Sequence, residues 1–394
     1  MRVLYLTTGC FDKGGISRYS RYQITALREI CGTGNVRVLS LLGPNKDGFE
    51  EPFAVDWHGR SRNNRPSNGD RIALSARFLW NVTEWRPDVV HGAHVHFGPL
   101  LTIARRMRRA TRTVLNVYGH EIWSGLTAQR RAHLARTERV IADCHFTGRY
   151  VQSEGLNPRA PTVIWDCVDL QRFRPGRVSP EILAKYGIPD PSEHLIVMSL
   201  GRLSKGALHK GFDRLIEVVA TLAGEVPALR LVIAGDGDDR ARLEGLASSR
   251  GIRERVSFTG WVHEKDLAAV YRAASIFSLV SDRGHGRGEG IPLTPLEAMA
   301  CGAAVIVGDE DGSQEAVFDQ RNGFVVSPRD QSQHRSVLLA LAKEPHRLER
   351  ARTEARRVAE EQFGYSAFVA KHRSFLDDLA PSARAVNSIE AIAS

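Results

Sequence analysis

Short β-branched runs alternate with amphipathic stretches along almost the whole chain, and few folds besides parallel sheets covered by helices on both faces accept that pattern. In the first half the spacing predicts strands at Val3–Thr7, Val36–Leu42, Val89–His91, Thr113–Tyr118, Arg139–Ala142 and Thr162–Trp165. Helices are expected between them, among them Ser17–Ile30 and Pro99–Arg109, while Gly43–Asp70, rich in Gly, Asn, Pro and Arg, reads as a long loop. The second half repeats the logic, with strands at Leu195–Ser199, Arg230–Ala234, Val256–Thr259, Ile276–Leu279, Ala304–Val307 and Gly323–Val326. Helix Tyr365–Leu379 closes the pattern. A chain of 394 residues suits two such cores better than one. The expected organisation is a first domain over 1–175, a proline-rich linker over 176–193, a second domain over 194–362, a terminal helix over 363–380 and a frayed tail over 381–394.

Hydrophobic content of 42% with 25% charged residues is globular. Apolar runs such as Leu338–Ala342 are too short to cross a bilayer. The opening MRVLYLTTGC meets Asp12 and Lys13, so it reads as a buried strand and not as a signal peptide. Five cysteines without a CxxC pair suit a reduced, cytoplasmic protein with neither a disulfide framework nor a zinc site. The net charge of +9 is uneven. Residues 1–175 hold 26 Lys/Arg against 15 Asp/Glu, and the remainder hold 28 against 30. A basic half implies an anionic partner, a membrane surface or nucleic acid. The nucleic-acid-binding reading is the weaker, because no aromatics interleave the arginines and no recognisable module is present.

The unusual residues fall after strands, where open α/β sheets bind ligands. Gly9–Gly15, Gly201–Lys210, Gly235–Asp238 and Ser281–Glu289 all occupy such positions. In EGIPLTPLEAMACG a helix is expected to open near Pro295, with free amides from Gly290, Ile291, Leu293 and Thr294 suited to a diphosphate. Carboxylates cannot hold phosphate, so Glu289 and Glu297 must face hydroxyls, as a sugar and a ribose would offer. Taken alone, the pair also fits a turn cap and an ordinary helix residue. Arg202 and Lys210 in GRLSKGALHKGFDRL supply cations for a departing diphosphate, although solvated loop cations are the commoner fate of such residues. Lys205 rivals Lys210. Gly14 and Gly15 let the backbone approach a ligand at a helix start. Arg18, Tyr118 and His120 are further candidates on the sugar or acceptor side.

Other patterns are weaker. No GxGxxG with a following acidic residue appears, which disfavours a nicotinamide-dependent oxidoreductase. Asp236, Asp238 and Asp239 read as helix N-caps and not as metal ligands. His91, His94 and His96 lack an accompanying carboxylate or cysteine, so no metal site is expected.

Together GGI, GRL…KGFDRLI, AGDGDDRARLE, VSFTGWV, EGIPLTPLEAMACGAAVIV, DGSQEAV and NGFVV resemble family 4 glycosyltransferases, over nearly the whole chain. The resemblance implies the GT-B fold: two Rossmann-like domains facing across a cleft, with the last helix crossing back to the first. It implies a nucleotide-diphosphate-sugar donor as co-substrate and no other cofactor. By the same resemblance the anomeric configuration is retained without a metal. It places the donor sugar at Glu289 and the ribose at Glu297. Arg202 and Lys210 hold the diphosphate, with Gly14 and Gly15 approaching from the other domain. Relatives usually carry His-Gly-x-Glu where this chain has Tyr118-Gly119-His120-Glu121, which leaves Tyr118 and His120 both open for the sugar contact. The stretch between Arg202 and Lys210 is also longer than usual.

The motifs are shared by GDP-mannose and UDP-glucose types, so a donor of either type is expected and the base and sugar stay open between them. The preferred acceptor is lipid-linked, in envelope or exopolysaccharide assembly, and a soluble small molecule is the alternative. A basic helix face combining Arg105, Arg109, Arg108 and Arg112, with Arg130, Arg131 and Arg136 nearby, is expected to rest on the anionic inner face of a membrane.

Overall fold

The computed structural model describes residues 1–12, 14–44, 53–61, 65–284 and 287–379. Two compact units emerge, one formed by Met1–Trp165 with the segment from Ser366, the other by Asp166–Tyr365. In the first unit lie β1 (Val3–Thr7), β2 (Val36–Ser40), β3 (Trp57–His58), β4 (Val89–Gly92), β5 (Arg112–Val117), β6 (Arg139–Ala142) and β7 (Thr162–Val163). They make one parallel sheet in the order β3-β2-β1-β4-β5-β6-β7. All five residues of β1 are buried, as a strand covered on both faces requires. Phe78, Leu101, Leu115 and Ile122 belong to the core beneath one face.

The second unit contains β8 (Leu195–Leu200), β9 (Leu229–Ala234), β10 (Val256–Phe258), β11 (Ile276–Leu279), β12 (Ala304–Gly308) and β13 (Gly323–Val326). Their order is β10-β9-β8-β11-β12-β13, again all parallel. Strand order reverses between β1 and β4 in one sheet and between β8 and β11 in the other. Such reversals open a crevice at the strands' carboxyl ends, because the flanking connections run to opposite sides.

Three expectations change. The supposed loop 43–70 contains β3, and helix Asn68–Trp80 opens at its end on a reciprocal Ser67–Asp70 cap; residues 45–52 and 62–64 lie outside the described residues. The supposed linker holds helix Pro180–Tyr186, with Pro180 in its first turn. Tyr186 and Lys185 bind Asp266 at 2.7 and 2.6 Å, which fastens the segment to the second unit. The basic helix is shorter than expected, spanning Gly98–Met107. Arg108 is extended, Arg112 opens β5, and Arg105 and Arg112 converge on Glu138. The shared basic face therefore does not form. Residues 380–394, the expected tail, are outside the described residues. Helix Tyr365–Leu379 joins the first unit from Ser366 onward, where His372 meets Gln23 at 2.9 Å in the interior.

Candidate active site

The crevice at β8 and β11 is built backbone first. After β8, residues 201–203 run against the loop that follows β9. Gly235 has φ of +127°, and a Cβ there would lie 2.0 Å from the Gly201 carbonyl oxygen, so only glycine fits. Leu203 donates its N–H to the Asp236 carbonyl at 3.0 Å, and Asp239 donates to the Leu203 carbonyl at 2.9 Å. Asp238 accepts the Lys205 N–H at 3.0 Å. Asp239 stands at the N-cap of helix Arg240–Ser249, yet its carboxylate takes both arms of Arg242 at 2.7 Å instead of the helix amides. These aspartates shape the segment carrying Arg202, whose side chain is exposed.

Lys210 meets Glu289. The ammonium binds Oε1 of Glu289 directly, and His209 Nε2 lies 3.2 Å from the same oxygen. Arg214 brings the two loops together: it donates to Asp282 at 2.7 Å, to the Val280 carbonyl at 2.9 Å and to the His209 carbonyl at 3.2 Å. Burial alone would push the Glu289 carboxyl up, but Lys210 and His209 overcome it and hold the group at about 2. Glu289 is therefore a carboxylate at any physiological pH. Lys205 contributes a backbone amide to this arrangement, and its side chain is exposed.

Asp311 fixes the backbone of Glu289. It is fully buried and accepts the Glu289 N–H at 2.8 Å, the Ser281 hydroxyl at 2.7 Å and the Ser313 N–H at 3.0 Å. The next amide, Gly312, donates to the Glu289 carbonyl at 3.0 Å. Burial raises the Asp311 carboxyl to about 6 despite these donors. Beyond Glu289, helix Leu293–Ala300 opens after Pro292 with no side-chain cap and no acid in its first turn, and Pro295 sits inside that turn. Its amides thus leave a positive end for an anion. Thr294 Oγ1 is buried there without a hydrogen-bond partner among the described residues. Gly290 and Leu293 are half-buried and Ile291 is buried. Glu297 lies deeper, at 2% exposure, where Oε2 accepts the Tyr271 hydroxyl at 2.9 Å.

In the first unit, Gly14 and Gly15 start helix Gly15–Cys31, which has no side-chain cap; Arg18 is half-buried on it. Both glycines line a cavity of about 880 Å³ at the β1/β4 reversal, with His94 and His96 from the segment after β4. Tyr118 is buried, and its hydroxyl accepts from Asn116 at 2.9 Å. Asn116 in turn binds Gln23 and His91, so the tyrosine belongs to an internal polar network. His120 is exposed at the start of the short helix His120–Trp123. Gly119 between them has φ of +93°, and a Cβ there would meet the Trp123 ring at 2.5 Å. Among the described residues no group of His, Cys, Asp and Glu is arranged to hold a metal ion.

Sequence reasoning pointed to Arg202, Lys210, Glu289 and the helix start, and the structure brings Lys210, Glu289 and that helix to one crevice. It passed over His209, Arg214, Asp311 and Tyr271. His209 adjoins Lys210, and Asp311 begins the DGSQEAV motif, so both were within reach of a closer reading.

Residues 180–358 match the family described as glycosyl transferases group 1, and residues 13–172 match Glycosyltransferase Family 4. A GDP-mannose-dependent alpha-(1-6)-phosphatidylinositol monomannoside mannosyltransferase of Mycolicibacterium smegmatis is 32% identical over 63% of this chain and 66% of its own length. A D-inositol 3-phosphate glycosyltransferase of Geodermatophilus obscurus is 28% identical over 68% of this chain and 63% of its own. The chain thus spans slightly less than two thirds of these relatives. The structure of HepE from Anabaena in complex with UDP and glucose superposes with a TM-score of 0.73 at 16% identity, covering 96% of this chain and 100% of that one. At that identity the likeness concerns the fold, which is GT-B.

Proposed function

The chain belongs to the family 4 glycosyltransferases, and from that premise we propose that it moves a hexosyl group from a nucleotide diphosphate sugar to an acceptor hydroxyl with retention and without a metal ion. The observation that carries the proposal is the crevice after β8 and β11. There an ionised Glu289, fixed by Lys210, His209 and Asp311, stands beside an uncapped helix start and a buried Thr294 hydroxyl that has no partner among the described residues. The helix amides, Lys210 and exposed Arg202 hold the diphosphate and stabilise the charge that grows as it leaves. Glu289 accepts from donor-sugar hydroxyls, and Glu297, oriented by Tyr271, accepts from the ribose. The departing phosphate oxygen takes the acceptor's proton on the face of attack, so no protein base is needed and positioning supplies much of the rate.

A donor of GDP-mannose type is favoured by the mannosyltransferase relative, and an acceptor in envelope assembly by the phosphatidylinositol monomannoside in that relative's name. Docking on an anionic membrane is supported by side chains that the sequence pattern did not reveal. Ile72 at 70% and Trp80 at 57% exposure stand out from helix Asn68–Trp80, and Ile103 and Met107 from helix Gly98–Met107, with exposed Arg106 and Arg109 adjacent. Apolar side chains beside arginines suit the headgroup boundary. No helix among the described residues is long and apolar enough to cross a membrane.

A screen of nucleotide diphosphate sugars for donor hydrolysis and transfer tests the core reading. Turnover with one donor, undiminished by EDTA and with the anomeric configuration kept by NMR, is expected. An inverted product or a strict divalent-metal requirement would overturn the mechanism.

A further inference from the structure

Helix Leu293–Ala300 opens toward the crevice at one end, and at the other it is held by an arginine from a different helix. The last carbonyls of a helix have no partner within it. Arg356, on helix Pro345–Phe363, donates from Nη1 to the Ala300 carbonyl at 2.6 Å. The same nitrogen donates to the Phe173 carbonyl at 2.9 Å. A guanidinium Nη carries two N–H groups, so one nitrogen serves both oxygens. Nε turns outward to Glu360 at 2.7 Å, which fixes the plane of the group. The neighbouring Arg357 pairs along its own helix with Glu354 and Glu361, the ordinary arrangement on a charged helix surface.

The two carbonyls lead to one carboxylate. Ala300 lies about one helical turn after Glu297, so fixing its carbonyl fixes the turn that bears the glutamate. Phe173 reaches Glu297 by another way. Its ring packs edge-on against Tyr271 at 6.0 Å, and the Tyr271 hydroxyl donates to Glu297 Oε2 at 2.9 Å. Phe173, Tyr271, Ala300 and Glu297 are all buried. In a close-packed interior such a closed loop of contacts has little room to relax around a missing member. Arg356 joins the loop at the C-terminal end of the helix, about 10 Å along its axis from the amides that open at Leu293.

We propose that Arg356 is a positioning residue for the nucleotide: through Ala300, and through Phe173 and Tyr271, it sets the direction in which Glu297 meets the ribose hydroxyls. The proposal rests on the reading of Glu297 as the ribose contact. A carboxylate that accepts from two vicinal hydroxyls must be held in one orientation, because a displaced oxygen loses a charge-assisted hydrogen bond.

The test is titration calorimetry on the full chain with GDP, UDP and the dideoxy form of each, which lacks both ribose hydroxyls; the base that wild type binds more tightly is carried forward. Wild type should prefer the ribose form by about tenfold, the scale of hydrogen bonds to a charged group, and Glu297→Ala should abolish the preference. Arg356→Met, which keeps the apolar stem and removes the donors, should cut the preference to about threefold or less. In the Glu297→Ala background Arg356→Met should leave affinity for the ribose form within about twofold, since both act through one carboxylate. Arg356→Met should also lower the thermal midpoint, because two buried carbonyls lose a donor. Leu341→Ala, a core truncation on helix Gln331–Lys343, is the control for lowered stability and should keep the wild-type preference. If Arg356→Met does not fold, Arg356→Lys decides: it retains the charge without the planar fork and should show an intermediate preference. A full preference in the Arg356 variant, or both forms weakened alike, overturns the proposal, as does loss of the preference in Leu341→Ala. Those results leave the ribose contact standing if Glu297→Ala still abolishes the preference. Wild type that binds neither nucleotide or both forms equally, or a preference that survives Glu297→Ala, instead overturns the ribose reading and the proposal with it.

Discussion

Both sheets open a crevice where their strand order reverses, and the two crevices are charged in opposite fashions. After β8 and β11, Lys210 is answered by Glu289 and Arg214 by Asp282. After β1 and β4, Arg71, Arg130 and two neutral histidines face a cavity with one occupied carboxylate. A compensated set keeps its geometry without ligand, because each charge already has its partner. An uncompensated set is completed by what it binds and is exposed to screening by salt. Under the proposed reaction, the crevice after β8 and β11 is thus a prebuilt donor side.

The sharpest way to break that contrast is to remove the compensated pair. Glu289→Ala and Lys210→Ala should each lower kcat/KM by about 10²–10³-fold, the range of a lost transition-state contact. Arg202→Ala should lose nearly as much, with the fold intact because the side chain is exposed. Glu297→Ala should also reduce transfer strongly, and Tyr271→Phe separates its two roles: it removes the internal hydrogen bond and keeps the carboxylate. Near-normal kcat/KM in folded Arg202→Ala would remove that residue from the diphosphate site. Stability links to the same pair. Glu289 has its carboxyl lowered from 4.5 to about 2, so its contribution is present above about pH 4.5 and is lost as pH falls toward 2.

A step smaller is the loss of the backbone clamp. Asp311→Asn should reduce kcat by about 10–100-fold with little change in donor KM, since it displaces Glu289 without touching the ligand. With its carboxyl raised to about 6, Asp311 takes up a proton as pH falls through that value and gives up part of its acceptor capacity. The wild-type kcat should fall on that limb, and the Asp311→Asn variant should be flat across it. An acid limb that persists unchanged in the variant assigns it to another group.

How much of this was legible follows from what each signal depends on. The buried strands were readable because both faces are covered, so β12 appears as an unbroken apolar run. Strand β3 was not, since two residues carry no period. Helix Asn68–Trp80 announced itself through Ser67 and Asp70, a capping pair inside a segment whose glycines and prolines suggested only loop. Pro180 reads in sequence as linker punctuation, whereas it serves as a first-turn residue. At the site, Lys210 and Glu289 were legible as a charge motif, but their contact depends on Arg214 bridging two loops, which no local pattern encodes. The arginine run after Ile103 looked like one face because a helix was assumed to continue; Glu138, distant in sequence, decides instead where Arg105 and Arg112 point.

With Arg105 and Arg112 held by Glu138, exposed apolar side chains are the ones to substitute in a membrane test. Ile72→Ser with Trp80→Ser should reduce sedimentation with anionic vesicles by about tenfold at low salt, consistent with losing two buried apolar side chains. Arg105→Gln and Arg112→Gln should act mainly on stability, because Glu138, 8% exposed, would keep only the longer ion pair with Arg159 at 3.8 Å. Binding that ignores lipid charge, or that the apolar substitutions leave untouched, would confine the protein's basic half to solubility.

The smallest expected effect is at Lys205, and it discriminates between the two loop cations. Lys205 and Lys210 lie on the same 3₁₀ segment, Lys205–Lys210, so both bring a positive charge to the neighbourhood of the diphosphate. Their connections differ. The side chain of Lys210 reaches Glu289 and is 17% exposed, whereas among the described residues Lys205 is tied in by its backbone amide alone, which Asp238 accepts at 3.0 Å. Lys205→Ala keeps that amide, and so it keeps the loop; what it removes is a solvated charge whose interactions fall away within a Debye length. A change within about twofold in kcat/KM is expected, shrinking further as salt is raised. If Lys205→Ala instead matched the loss in Lys210→Ala, the ion pair with Glu289 would be a resting contact and Lys205 the cation that meets the donor. The compensated crevice would then resemble the uncompensated one, with its working charge held in reserve at the surface.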